Sequence, residues 1–160
     1  MIASAVAIMA LALSCSSIDC PLNNLVYTTY GIYNSSGERD SLVDTLTITT
    51  TSLDGYEVTV LNLDTDIDSF ILPMSYEQDV DVFTFELKDT FGTTVTDVVS
   101  VSKENEMHFE DIDCTPSYFH TITGVTYTRN AIDSISINYN RVTYDTSKEH
   151  FHIYFNDSAF

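Results

Sequence analysis

Two small sets of side chains in this 160-residue chain have the types and spacing to hold a metal. Asp64, Asp66 and Asp68 alternate as the first three ligands of a calcium-binding EF-hand loop do. The pattern then fails, because position six falls on Ser69 rather than Gly and position twelve on Ser75 rather than Glu. A solvated acidic strand end is the better reading. Asp79 and Asp81, or Glu110, Asp111 and Asp113, could complete a calcium site only by meeting in space. His150 and His152 stand two apart, so a regular strand would point both the same way, as zinc-binding pairs do. A third ligand, His108 or His120, would have to come from elsewhere. Two histidines exposed on a sheet face are the commoner arrangement. The chain contains no Gly-x-Ser-x-Gly, no His-Glu-x-x-His, no phosphate-binding glycine loop and no closely spaced cysteine pairs. No Trp offers a sugar platform, and nothing selects one carboxylate pair for glycoside chemistry.

The cysteines say more. Residues 2–13 are apolar apart from Ser4, and no charge precedes Asp19. A helix over this run would reach roughly 18 Å, against a hydrocarbon core of roughly 30 Å. That is too short for a transmembrane span and suits the apolar region of a signal peptide. Ala12-Leu13-Ser14-Cys15 resembles the lipobox of bacterial lipoproteins, in which the cysteine is acylated and becomes the new N-terminus. The likeness implies a signal peptide over 1–14, a lipid on Cys15 and a mature chain over 15–160, with Ser16-Ser17 as tether. Position −3 is Ala rather than Leu, and no Lys or Arg precedes the apolar run, as a start codon set too far downstream would explain. The alternative is an ordinary secretory leader that happens to end near a cysteine.

Once Cys15 is lipidated, Cys20 and Cys114 are left. An oxidising periplasm favours joining them, and closing so long a loop would stabilise the fold by roughly 4–5 kcal/mol on the chain-entropy model. Two buried free thiols are the other reading. No histidine and carboxylate accompany either cysteine in the way a nucleophile needs.

Asp and Glu number 24 against 6 Lys and Arg, a formal net charge of −18. A surface this acidic repels phosphate backbones, which argues against nucleic-acid binding. The chain is 44% hydrophobic, with 10 Tyr and 9 Phe, and its β-branched and aromatic bias argues for strands. No helical periodicity persists beyond the leader. Alternating runs instead fall at 26–33, 45–50, 56–61, 70–72, 81–87, 93–102, 119–128, 134–139, 142–144 and 149–155. Thus Leu46 and Ile48 alternate with threonines, and Phe83, Phe85 and Leu87 point inward against Val82, Thr84 and Glu86. Tyr56, Val58 and Val60 share a face, as do Val95, Val99 and Val101. The last run buries Phe151, Ile153 and Phe155 and leaves His150, His152 and Tyr154 on the opposite face. Asp54-Gly55 is a hairpin signal, and Pro73 suits an edge strand. The expected fold is all-β, an antiparallel, immunoglobulin-like β-sandwich.

A weak internal repeat suggests two packed lobes, over 20–110 and 111–160. Ile18-Asp19-Cys20 recurs as Ile112-Asp113-Cys114, Gly31-Ile32-Tyr33 is echoed by Gly124-Val125-Thr126-Tyr127, and Asp44-Thr45-Leu46-Thr47-Ile48 by Asp133-Ser134-Ile135-Ser136-Ile137. The similar composition of β-strands explains the echo equally well.

With the lipobox, Asp19-Cys20-Pro21, Leu72-Pro73-Met74-Ser75, and Asp113-Cys114 followed by Phe119-His120-Thr121-Ile122, the chain resembles the uncharacterised small lipoproteins of Bacteroidetes-type cell envelopes, classed as a domain of unknown function. The resemblance brings no catalytic residues. It implies O-glycosylation motifs at Ser41, Thr45, Ser134 and Ser158. It also places the protein in the outer membrane, lipid-anchored on the periplasmic face, since Ser16-Ser17-Ile18-Asp19 lacks the clustered acids of a surface-export signal. The expected role is a non-enzymatic interaction or accessory subunit that binds another envelope protein. The alternative is a calcium- or glycan-binding module, and an envelope hydrolase ranks last.

Overall fold

The computed structural model describes residue 20 and residues 24–63 and 66–156. The expected signal peptide and Cys15, Asp64 and Ser158 lie outside the described residues. Among the described residues the strand-rich sequence forms ten strands: β1 (Tyr27–Tyr33), β2 (Thr45–Thr51), β3 (Glu57–Leu63), β4 (Ser69–Pro73), β5 (Val80–Lys88), β6 (Thr94–His108), β7 (Ser117–Tyr127), β8 (Ile132–Ile137), β9 (Arg141–Val142) and β10 (Phe151–Phe155). Every regular element among the described residues is a strand, and none is a helix long and apolar enough to cross a membrane. The strands form a four-stranded sheet in the order β4-β1-β10-β8 and a six-stranded sheet in the order β3-β2-β5-β6-β7-β9. The two pack face to face as a β-sandwich.

Alternation explains most of the packing. Leu46 and Ile48 of β2 are buried between half-exposed threonines, and β5 buries Phe83, Phe85 and Leu87. Pro73 closes β4 at an edge of the smaller sheet, where its missing N–H costs no ladder bond. Asp54-Gly55 makes the β2–β3 hairpin, with Gly55 in left-handed backbone (φ 82°) that a side chain would disfavour.

Three features depart from the expected pattern. The β1–β10 pair is parallel, Tyr30 facing Phe151, while the other named pairs are antiparallel. These are the first and last strands, so no tight hairpin dictates their direction. Strand β6 runs on to His108 through a bulge between Ser102 and Lys103. The polar run Lys103-Glu104-Asn105-Glu106 hides this extension from a hydrophobic reading. Tyr56 and Val58 are exposed, because β3 is an edge strand whose register slips opposite Ile48 and Thr49.

An aromatic row crosses the core of the smaller sheet. Tyr30 of β1 faces Phe70 of β4 and Phe151 of β10 in register, with ring centroids at 4.8 and 4.7 Å, and Phe85 of the other sheet meets it edge-on at 6.3 Å. Cross-strand aromatic pairs of this kind add about 0.5–1.5 kcal/mol each beyond area burial. The buried Tyr30 hydroxyl has no hydrogen-bond partner among the described residues. The Thr28 hydroxyl near it turns to the Leu72 carbonyl (3.3 Å).

The chain passes repeatedly from one sheet to the other, and inward-facing polar residues hold several of the crossings. Asp97, fully buried on β6, holds the passage from β7 to β8. Its Oδ1 accepts from Thr128 Oγ1 (2.5 Å) and Asn130 N (2.8 Å), and its Oδ2 from Ala131 N (2.7 Å) and Ile132 N (2.8 Å). Burial alone would push this carboxyl up, but the four donors outweigh it and hold it below the usual carboxylate range. The repeat's counterpart strands lie on opposite sheets: β1 and β8 in the smaller, β2 and β7 in the larger. Residues 111–160 thus contribute strands to both.

Two outcomes follow for equilibrium unfolding in denaturant. Asp97→Asn turns an amide toward backbone N–H groups and is expected to lose about 3 kcal/mol or more. Tyr30→Phe deletes an unpartnered hydroxyl without changing the ring and is expected to leave stability unchanged or raise it by up to about 1 kcal/mol.

Candidate functional site

The connection from β4 to β5, residues 74–79, lies beside the extended half of β6 and is tied to it at several points. Lys103 N donates to the Asp79 carbonyl (2.8 Å). Asn105 Nδ2 donates to the carbonyls of Tyr76 (3.3 Å) and Gln78 (3.2 Å) and to Asp79 Oδ1 (3.3 Å). Asn105 Oδ1 in turn lies 2.8 Å from Nδ1 of the buried His120 on β7. Behind the connection the Lys103 ammonium, fully buried, sits 2.7 Å from Asp81 Oδ2. Among the described residues the ammonium directs no well-aligned hydrogen bond to any acceptor, so the contact is an ion pair. Burial pushes the Asp81 carboxyl up, and Lys103 works against that shift. Such a pair adds little net stability, yet losing one partner would leave the other charged in the interior.

Around this connection the surface is concave. One cavity of about 340 Å³ is lined by Leu25, Met74, Tyr76, Asp81 and Phe83 among others. A second, of about 450 Å³, shares Thr50, Ser75 and Asp81 with it and extends to Leu53 and Gln78. A third, of about 280 Å³, shares Tyr76 and reaches Asn24, Thr115, Pro116 and Tyr118. Together they make a groove with an apolar middle, Asp81 at its base and the stacked rings of Tyr76 and Tyr118 (4.6 Å) toward one end. That end adjoins the Cys20–Cys114 disulfide, which joins residues 94 apart in the chain.

The residues singled out for metal binding do not converge. Among the described residues no three His, Cys, Asp or Glu form a group able to hold a metal ion. Asp66 sits in left-handed backbone (φ 67°) with its N–H on the Leu42 carbonyl. The Asp68 carbonyl accepts from Ile32 N and Arg39, and its carboxylate from Ser69 Oγ. His150 corrects the expected exposed histidine pair, because it is fully buried. Its Nδ1 accepts from Thr29 N (2.9 Å) and its Nε2 lies 3.2 Å from the Arg141 carbonyl, tying β1 of one sheet to β9 of the other. Regular alternation begins only at Phe151, so the spacing of two does not govern where His150 points. His152 is half-buried against the Tyr33 ring (4.3 Å), beside Glu149, which accepts from the Tyr33 hydroxyl (2.8 Å) and pairs with Arg39. His108 stacks on Phe119 (4.1 Å) and meets Glu110 (2.9 Å). Of the serine and threonine motifs, Ser41 is exposed, and Thr45 and Ser134 are half-buried.

The sequence reading missed Asp97, Lys103 and Asn105, and it weighed Asp81 only as a calcium ligand. The signal was present. Asp81 shares the inward parity of Phe83 and Phe85, and Asp97 that of Val95, Val99 and Val101.

Burial, then the nearby charges of Lys103 and Arg141, pushes His120 down to about 4, below its ordinary value of 6.5. Between those values the unfolded chain takes up the proton first, so stability falls as the pH drops through that window. Burial shifts His150 in the same direction. Thermal unfolding at pH 7 and pH 5 is expected to differ by about 1–2 kcal/mol more in the wild type than in His120→Gln, which cannot take up this proton.

No curated protein and no solved structure is significantly similar to this chain. Residues 45–155, from the start of β2 to the end of β10 and including Cys114, Asp81, Asp97, Lys103, His120 and His150, match the family of unknown function DUF6452, and the chain belongs to that family.

Proposed function

We propose that this protein is a lipid-anchored lipoprotein of the outer membrane, acylated at Cys15 and facing the periplasm. There it acts as a non-enzymatic accessory subunit that binds another envelope protein through the groove along the β4–β5 connection. The observation that carries this reading is the preformed groove itself. Its connecting segment is held by Asn105 and backed by the buried Asp81–Lys103 pair, so little ordering is left to oppose binding. Its apolar middle offers contact area, and the exposed Glu77, within a chain of net charge −18, suits a basic partner segment. The lipobox-like Ala12-Leu13-Ser14-Cys15 supports the anchor. A glycan-binding role is the second reading, favoured by the stacked Tyr76 and Tyr118 rings in the groove.

Photocrosslinking in intact cells tests the binding role. A photoreactive residue replacing Tyr76 is expected to give one discrete protein adduct that Glu77→Lys diminishes several-fold, while the same residue at Val98, on the outer face of β6, gives none. Recovery of the protein alone from detergent-solubilised membranes, with no adduct at Tyr76, would count against a subunit role. For the anchor, the wild type is expected to take up a labelled fatty acid and Cys15→Ala to take up none, and equal labelling of the two would refute acylation at this site.

A further inference from the structure

We propose that the β6–β7 tip, residues 107–114, is a second membrane contact that enters the interfacial layer of the leaflet holding the anchor. The inference rests on the acylated Cys15 of the preceding section. Cys20 is bonded to Cys114, and four residues separate it from Cys15. Even fully extended, that tether spans about 17 Å. The Cys114 Cα lies 5.5 Å from that of Cys20, so the base of the tip stays within about 23 Å of the acylated residue, whatever the rest of the domain does. The same tip carries Met107, Phe109 and Ile112, which are 49, 59 and 94% exposed. Large apolar side chains displayed together on a domain mark a contact surface, and the tether determines which surface lies within reach.

The polar groups of the tip set the depth. Glu110 faces His108 (2.9 Å), and Asp111 accepts from Asp113 N and Cys114 N. Three acids beside the apolar side chains keep the tip at headgroup level and disfavour an anionic surface. The β5–β6 turn provides an internal control. It lies at the other end of the 15-residue β6, roughly 45–50 Å away along the strand, and carries Phe91, 93% exposed. Phe91 is as apolar and as open as the tip, but no bond fastens its turn near the anchor.

The chain has no Trp, so single substitutions report their own surroundings. Full-length lipidated Phe109→Trp, Ile112→Trp and Phe91→Trp would each be reconstituted into phosphatidylethanolamine–phosphatidylcholine vesicles containing brominated acyl chains. All three positions are exposed, and matched thermal unfolding would verify the fold. Emission at positions 109 and 112 is expected to shift to the blue and to be quenched on the order of twofold more than at position 91. Adding phosphatidylglycerol is expected to weaken the difference. Equal quenching at all three positions in protein that is acylated and vesicle-bound would overturn the tip contact and leave the anchor standing. A blue shift that appears without vesicles and grows with protein concentration would assign the patch to a second copy, and would also overturn the proposal. Protein recovered from its own cells that carries no acyl chain and does not float with the vesicles would overturn both readings.

Discussion

A buried carboxylate with four donors is the constraint on which this sandwich depends. Asp97 stands in β6, yet each of its hydrogen bonds goes to residues 128–132, where the chain leaves the larger sheet for the smaller. Backbone crossing between two apolar faces exposes N–H groups that neither sheet's ladder can satisfy. An ionised carboxylate solves this, because it accepts on both oxygens and binds more strongly than a neutral acceptor. The Val98 carbonyl and Thr128 N (3.0 Å), with Val98 N and Thr128 Oγ1 (2.9 Å), complete the corner.

The same logic recurs at other crossings with different chemistry. His150, neutral in the interior, accepts from one sheet and faces a carbonyl of the other. At the β4–β5 connection Asn105 takes the role, with the Asp81–Lys103 pair behind it. The Leu42–Ile67 bridge joins the chain leaving β1 to the chain entering β4. The apolar row around Tyr30 supplies adhesion between the sheets, and adhesion alone does not specify where a chain may cross. Buried polar groups do, since each is costly unless its partners are in place.

This division bears on function. The β4–β5 connection is held against β6 by Asn105 and one backbone hydrogen bond and not by a ladder, and concave surface lies beside it. The groove's far end adjoins the disulfide that fastens the start of the described chain. Groove, fastening and apolar tip therefore gather at one end of the molecule, while the β5–β6 turn marks the other. Four of the six Lys and Arg are used locally: Lys103 lies inside, and Arg39, Arg129 and Arg141 pair with Glu149, Asp133 and Glu106. The surplus of 24 acids over 6 bases is left to the surface.

Alternation, turn residues and β-branched composition determined the all-β class, most of the strands and the inward faces of β2 and β5, because those properties act within a few residues of one another. The same parity already marked Asp81 and Asp97 as inward, though nothing local says what a buried carboxylate will meet. Tertiary structure alone decided the parallel pairing of β1 with β10, the extension of β6 through polar residues, the burial of His150 and the existence of the groove. Each depends on partners far along the chain: His150 meets Thr29, Lys103 meets Asp81, and Asp97 meets residues more than thirty positions on. A periodic pattern records which side of a strand is apolar. It carries no information about which distant donor will face a polar residue on that side.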